Sequence, residues 1–232
     1  MIKHPKRLPI LLFLAMEVVL YYFILTAGGQ TLVVTSYLAI VLCFLFSLQG
    51  VKANPLTVAG LACTVGADFC LVICDPIQQL WGMVFFLGAQ TFYAVHLHRI
   101  RKSTPLLIAR LILTVAGILI AIFVLQNKTD ALALISICYY ANLIMNLVVA
   151  FTQWQKSKLL PIGFVLFILC DTIIGLQVAA GGYLPIAEGS ILYNLLFSGF
   201  NTAWMFYLPS QVLLALSCLT KGANNAATNE SN

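Results

Sequence analysis

Three acidic residues stand inside strongly apolar stretches of this 232-residue sequence: Glu17, Asp68 and Asp171. An ionised carboxylate inside a bilayer costs about 2.5 kcal/mol or more, so such a residue marks a functional site by default. Two carboxylates close together in a dry pocket cannot both ionise at low cost, and one therefore keeps its proton. Asp68 and Asp171 are thus predicted to act as an acid and a base, without a choice between them. Glu17 is either a further site residue or a buried hydrogen-bonding group.

Neutral polar residues extend this set. Asn142 and Asn146 share one face of a predicted helix that also carries Tyr139. Such a face would orient a substrate or water, or it would only join helices. The same two interpretations apply to the following candidates on other segments: Gln90, Tyr93, Gln211. Arg110 is expected to extend to the lipid headgroups, where it could hold a phosphate.

Other chemistry is not indicated. The seven cysteines all lie in apolar stretches without a CxxC pair, which is typical of small buried side chains. His96 and His98 border a basic loop, and no spacing typical of a metal site is found. A glycine-rich phosphate loop and a Gly-x-Ser-x-Gly sequence are both absent. We therefore expect neither a metal nor an organic cofactor.

The composition indicates the fold class that holds these residues in place. The sequence is 62% hydrophobic and 8% charged, with a mean hydropathy of +1.01. A soluble domain of this size could not cover so much apolar surface, so an all-α integral membrane protein is predicted. The net charge of +5 is explained by membrane topology, and no nucleic-acid partner is expected.

Apolar segments of about 20 residues can cross a bilayer as helices. Eight candidates are predicted near residues 8–28, 32–50, 55–74, 79–98, 105–125, 131–152, 159–180 and 194–218. Basic residues fall on one side of this arrangement except Lys128, which predicts that both termini are cytoplasmic. Residues 1–220 would form a single membrane domain, and the polar tail 221–232 would be disordered.

An internal echo relates the two halves of the chain. The spacing from Gly60 to Asp68 recurs from Gly163 to Asp171, and residues 86–94 align with residues 207–215. A duplicated four-helix unit would be a parallel repeat, in which the two aspartates face each other. Chance similarity between short apolar strings is the alternative.

Four stretches of the sequence resemble the signatures of a known family: GADFCLV, FFLGAQTFYAVHL, GFVLFILCDTIIGL and FYLPSQVLLALS. They are similar to the YhhN family of membrane proteins, whose characterised members are lysoplasmalogenases. Three departures from the family pattern are visible. Ala67 separates a glycine from Asp68, Gln90 stands where many members have histidine, and Cys170 replaces the serine before Asp171. An amide can form hydrogen bonds, but it does not titrate.

The resemblance implies hydrolysis of the vinyl ether of a lysoplasmalogen to a fatty aldehyde and a glycerophospho-headgroup. Protonation of the β-carbon gives an oxocarbenium ion that water captures, so one protonated carboxyl and one carboxylate are needed, as in glycoside hydrolases. Asp68 and Asp171 would be this catalytic pair. The expected substrate-binding residues are Gln90, Tyr93, Asn142, Gln211, Glu17 and Tyr139. The substrate would be a lysophospholipid, met in a membrane, with a bacterial plasma membrane as the expected location.

Two other functions fit the same buried acids. A proton-coupled transporter also places paired acids deep in a repeated helical bundle. A non-enzymatic lipid-binding membrane protein would keep them protonated and structural. Release of aldehyde separates an enzyme from both, and the oligomeric state does not follow from the sequence.

Overall fold

The computed structural model describes residues 7–125, 129–180, 186–197 and 201–219. Every regular element in these residues is helical, which confirms the all-α prediction. The α-helices are α1 (Arg7–Thr26), α2 (Gly29–Ser47), α3 (Pro55–Asp68), α4 (Gln79–Ile100), α5 (Thr104–Leu125), α6 (Ala131–Phe151), α7 (Leu159–Ala180), α8 (Ile191–Phe197) and α9 (Thr202–Ser217). A 3-10 turn, Leu48–Gly50, follows α2, and a π-helical segment, Phe69–Ile73, continues α3.

Seven of the described helices are long and apolar enough to cross a membrane, and they coincide with the first seven predicted spans. The predicted eighth span, 194–218, instead contains the end of α8 and all of α9, which has 16 residues. Its sequence carries SGFN at 198–201, where glycine and asparagine favour an interruption of the helix. The predicted tail 221–232 and Lys128 lie outside the described residues.

Local sequence sets several helix ends. Pro55 opens α3, where a missing backbone N–H costs nothing and the fixed φ suits a helix. Asp130 precedes α6, and its carboxylate accepts a hydrogen bond of 2.8 Å from the backbone N–H of Ala133. These caps start the helices that carry Asp68 and Tyr139.

The helices from α1 to α7 alternate in direction, so every second loop between them lies at the same end of the bundle. The end that holds the α2–α3, α4–α5 and α6–α7 loops carries Lys52, Arg99, Arg101, Lys102, Lys156 and Lys158. We call it the basic end. There the Asn54 side chain donates a 2.9 Å hydrogen bond to the Cys218 carbonyl. At the opposite end Tyr21 donates to the carbonyl of Met205 over 3.1 Å.

The helix pairs α3/α4 and α7/α9 pack through aligned positions of the internal echo. A Cβ added at Gly60 would lie 2.5 Å from the Tyr93 ring, and one added at Gly163 would lie 3.2 Å from Leu214. Gly60 and Gly163 align in the echo, as do Tyr93 and Leu214. The missing side chains let each pair of helices approach closely. This packing brings α3, α4, α6, α7 and α9 around one interior.

Candidate active site

The two aspartates lie on separate helices and point into the same interior. Asp68 is the last residue of α3, just before the π-helical segment, and only 3% of its surface is exposed. The Tyr207 hydroxyl of α9 donates a 2.6 Å hydrogen bond to its Oδ2 atom. Asp171 on α7 is partly exposed and accepts a hydrogen bond from the Tyr139 hydroxyl of α6. The Phe167 ring contacts the rings of both tyrosines, so the two carboxyl groups are bonded to the same aromatic cluster.

Aromatic rings form the wall of this acid pair. Phe167 packs against Tyr207 with a centroid separation of 5.6 Å and against Tyr139 at 6.5 Å. Phe86 of α4 lies 5.7 Å from the Tyr139 ring and 6.3 Å from the Tyr207 ring. Two of these contacts are edge-to-face and two are tilted, and such packing on several sides restricts the ring positions. The two tyrosine hydroxyls are therefore held in place against the carboxylates.

Cys170, which precedes Asp171, is buried and lies near both carboxyl groups. The residue that departs from the family pattern is thus part of the acid surroundings. A thiol is a weaker hydrogen-bond donor than a serine hydroxyl, so this side of the pocket is less polar.

A layer of side-chain amides lies about one helical turn from the acids, toward the basic end. Gln90 follows Phe86 by one turn on α4, and Gln211 follows Tyr207 by one turn on α9. Both side chains are fully buried. Asn146 donates 2.9 Å hydrogen bonds to the backbone carbonyl and the Oε1 atom of Gln90.

This amide layer has unused hydrogen-bonding capacity. Within the described residues, the Nε2 atom of Gln90 and both polar side-chain atoms of Gln211 have no partner. A buried polar atom without a partner costs about 1–3 kcal/mol, so a substrate group or water at this place would be stabilised. The substrate-binding roles of Gln90 and Gln211 stay predictions.

Arg110 lines a cavity at the basic end together with Arg99 and Arg101. Its guanidinium turns to α6, where it donates 2.5 Å and 2.8 Å hydrogen bonds to the amide oxygens of Asn142 and Asn146. Two side-chain acceptors on one face of α6 stabilise the inward conformation of the Arg110 guanidinium more than exposure to headgroups would. The two asparagines thus join α6 to α5. The Asn142 side chain binds the Arg110 guanidinium rather than either aspartate.

Two predicted site residues lie apart from the acid pair. Tyr93 is buried about two turns along α4 from Phe86, between Gly60 and the ring of Phe164, whose centroid is 5.5 Å away. Glu17 is 3% exposed and accepts a 3.3 Å hydrogen bond from the Cys43 thiol of α2. The structure therefore gives Tyr93 a packing contact and Glu17 a separate polar contact.

Tyr207 and Phe167 are site residues that sequence reasoning did not single out. A signal for Tyr207 was present, because it stands four residues before Gln211 and so shares its helix face. The described residues contain no group of three or more His, Cys, Asp or Glu side chains that could hold a metal ion.

The fold and the site define a class: an α-helical, multi-pass type of membrane protein with two carboxyl groups on its spanning helices, each bonded to a tyrosine. The chain belongs to the YhhN family, whose family model matches residues 34–218. This match covers most of the chain and confirms the resemblance drawn from the four sequence stretches. No curated protein and no solved structure matches the chain.

Proposed function

We propose that this protein is an ether hydrolase of the lysoplasmalogenase type, which cleaves the vinyl ether of a lysoplasmalogen into a fatty aldehyde and a glycerophospho-headgroup. Membership of the YhhN family supports this activity. The observation that carries it is the pair Asp68 and Asp171, from different helices, inside one aromatic wall. Two carboxyl groups in such surroundings supply the proton donor and acceptor that the reaction needs.

The different exposure of the two acids supports a proposal for their roles. Asp68 is closed off from its surroundings, whereas Asp171 is partly exposed, so Asp171 is the one that a water molecule reaches. Protonated Asp68 gives its proton to the β-carbon of the vinyl ether, and the α-carbon becomes an oxocarbenium ion. Water adds to that carbon while the Asp171 carboxylate takes the water proton. A hemiacetal results.

The hemiacetal then breaks down with the acids in exchanged roles. Asp171 returns its proton to the departing glycerol oxygen, and the Asp68 carboxylate takes the proton of the hemiacetal hydroxyl. The aldehyde and the free glycerol hydroxyl leave, and both acids recover their initial states. The hydroxyls of Tyr207 and Tyr139 stabilise whichever carboxylate is charged. Gln90 and Gln211 are proposed to orient the glycerol part of the substrate.

The proposal includes the membrane setting. The chain would cross the membrane eight times as a four-plus-four repeat, with α8 and α9 forming the last crossing and both termini in the cytoplasm. Residues 1–220 would be one domain in a bacterial plasma membrane, and the alkenyl chain of the substrate would lie among the helices. The seven described spans and the basic end support this arrangement.

The test is aldehyde release by the purified full-length protein from a lysoplasmalogen in mixed micelles. Wild-type protein should release aldehyde, and Asp68→Asn and Asp171→Asn proteins should not. Glu188→Gln, an exposed acid outside the helices, is the matched control and should behave as wild type. Folded wild-type protein that releases no aldehyde would overturn the proposal.

A proton-coupled carrier is the second candidate. The line of polar groups from Asp171 through Tyr139, Asn142 and Arg110 toward the basic end favours it. Vesicles containing the protein would then acidify when a substrate gradient is applied, and no aldehyde would form. A lipid-binding protein without catalysis would show neither signal.

A further inference from the structure

A cavity of about 300 Å³ lies at the basic end, between the last turns of α4, the loop after it and the start of α5. Its polar lining residues are His98, Arg99, Arg101, Ser103 and Arg110. On α6 its wall is formed by Val149, which lies ten residues beyond Tyr139, about 15 Å along the helix. The cavity is therefore separate from the acid pair, and the proposed chemistry does not use it.

The arginines of this cavity have no negative partner in the described residues. No acidic side chain is among the lining residues. The described acids outside the spanning helices, Asp75, Asp130 and Glu188, lie in loops at the opposite end of the bundle. Charges within membrane-spanning segments are normally paired, and neighbouring guanidinium groups repel one another. An anion in the cavity would supply the missing negative charge.

Arg110 is a cation that is held in place but not neutralised. It stands six residues after Thr104, the first residue of α5, which is about 9 Å along the helix. Its hydrogen bonds of 2.5 Å and 2.8 Å go to the amide oxygens of Asn142 and Asn146, which carry no charge. A guanidinium has five N–H donors, so donors remain for a ligand in the cavity.

The arrangement of the donors matches a phosphate group. Arg99 reaches the cavity from α4, Arg101 and Ser103 from the loop, and Arg110 from α5. The planar guanidinium donates parallel hydrogen bonds to two phosphate oxygens, and a serine hydroxyl adds a further donor. A tetrahedral phosphate presents oxygens in several directions, whereas both oxygens of a carboxylate lie in one plane. Donors that converge from three sides therefore favour phosphate.

The surroundings of the cavity indicate where such a phosphate comes from. Val95 and Leu107 line the cavity and are 40% and 45% exposed. Ile108 and Leu111, which follow on α5, are also exposed. Exposed apolar side chains on spanning helices face lipid, so the cavity lies where the basic end meets the lipid-facing side of the bundle. Basic pockets between spanning helices at this level bind lipid headgroups.

We propose that this cavity is a phosphate-binding site, filled by the headgroup phosphate of a membrane phospholipid, with Arg110 as its inner ligand and Arg99 and Arg101 at its outer side. A soluble phosphate compound carries the same group and is the alternative source. The proposal does not rest on the proposed function, because the site is separate from the two aspartates.

A bound phosphate would link α5 to the end of α4. Among the described residues 104–124 of α5, only Ala121 is buried, and this helix packs mainly on α6. A helix with so few interior contacts gains stability from a ligand that also binds its neighbour. Because the ligand binds the folded protein, it should raise the melting temperature.

Binding is measured with purified full-length protein in detergent micelles and radiolabelled dioleoylphosphatidylglycerol. This lipid has no vinyl ether, so the proposed reaction cannot cleave it. The unlabelled competitors are the same lipid, dioleoylglycerol, which lacks the phosphate, and inorganic phosphate. At equal concentration only the phospholipid should displace the label, and it should also raise the melting temperature of the protein.

Variants locate the site. Arg110→Ala should weaken binding by roughly tenfold to a hundredfold, the range expected when hydrogen bonds to a charged group are lost. The double variant Arg99→Ala/Arg101→Ala should weaken it several-fold, and it tests the site even if Arg110→Ala does not fold, because both side chains are exposed. Lys102→Ala is the matched control, an exposed cation of the same loop that does not line the cavity, and should bind as wild type.

Asp171→Asn separates this site from the acid pair, since it should bind the lipid with wild-type affinity. Loss of binding in this variant would place the lipid at the aspartates and overturn the proposal. Equal competition by dioleoylglycerol would overturn it by showing that the phosphate is not recognised. Equal competition by inorganic phosphate would support the phosphate site and make a soluble compound its ligand.

The arginine variants give the remaining outcomes. Wild-type affinity in both of them would place the ligand elsewhere and overturn the proposal. A loss in Lys102→Ala as large as that in Arg99→Ala/Arg101→Ala would show attraction to the basic end as a whole, which would also overturn it. Absence of aldehyde release together with arginine-dependent binding would overturn only the proposed function.

Discussion

Asp68 and Asp171 occupy aligned positions of the internal echo, yet their surroundings differ. Asp68 is enclosed, 3% exposed, and bonded to Tyr207 of α9. Asp171 is partly exposed and bonded to Tyr139 of α6. Two aligned positions thus carry the same residue type with different degrees of enclosure. Under the proposed function, this difference in enclosure, and not a difference in residue type, separates the roles of the two carboxyl groups.

The largest expected effect is the loss of either carboxyl group. Asp68→Asn and Asp171→Asn should each lower kcat for aldehyde release by about 10²–10⁴-fold, the usual contribution of a general acid or base. The double variant should be no worse than the more impaired single variant, because the two groups act as a unit. Multiplicative losses in the double variant would show that the acids act independently.

Removing each tyrosine hydroxyl should lower activity by a different factor at the enclosed acid than at the partly exposed one. Tyr207→Phe leaves Asp68 without this hydrogen bond in a closed place and should lower kcat/KM roughly tenfold to a hundredfold, as for a bond to a charged group. Tyr139→Phe should have a smaller effect, because water can replace the hydroxyl at partly exposed Asp171.

Tyr22→Phe is the control for both, since Tyr22 is 63% exposed and distant in sequence from the site. The melting temperature in detergent should not fall enough to account for the lost activity in any of the three variants. Equal losses at Tyr207 and Tyr139 would contradict the proposed difference in access.

Much of this architecture could be predicted because apolar length relates directly to bilayer thickness. The first seven spans follow from that relation, but the start of α9 at Thr202 does not, since apolar residues lie on both sides of it and dominate the local mean. The internal echo predicts that Asp68 and Asp171 face each other, and this stays a prediction. Their tyrosine partners could not be predicted, because tertiary packing decides which hydroxyl reaches which acid. The hydrogen bonds of Arg110 to Asn142 and Asn146 could not be predicted for the same reason.

The two aligned glycines should differ in their tolerance of a methyl group. Alanine at Gly60 would place its Cβ 2.5 Å from the ring of Tyr93, which is fully buried and cannot move aside. Overpacking of this kind should cost about 1–3 kcal/mol of stability. Gly163→Ala meets the flexible Leu214 side chain at 3.2 Å, and should be nearly neutral because alanine also favours the helix.

Thermal unfolding in detergent measures both changes. Gly175→Ala is the control, because nothing lies within 4 Å of its added Cβ. A loss at Gly163 as large as that at Gly60 would mean that α7 and α9 are packed as rigidly as α3 and α4.

Rescue by formate is the smallest predicted effect, and it tests directly which acid position a small molecule can reach. Asp171→Ala leaves a space that is partly exposed, so added formate should enter it, take the proton from water, and restore aldehyde release several-fold above the unrescued variant. The recovery should stay far below wild type, because a freely diffusing base lacks the positioning of a side chain. Formate should not restore Asp68→Ala, since that site is enclosed and its proton must reach carbon rather than water. Rescue of Asp68→Ala without rescue of Asp171→Ala would reverse the two roles.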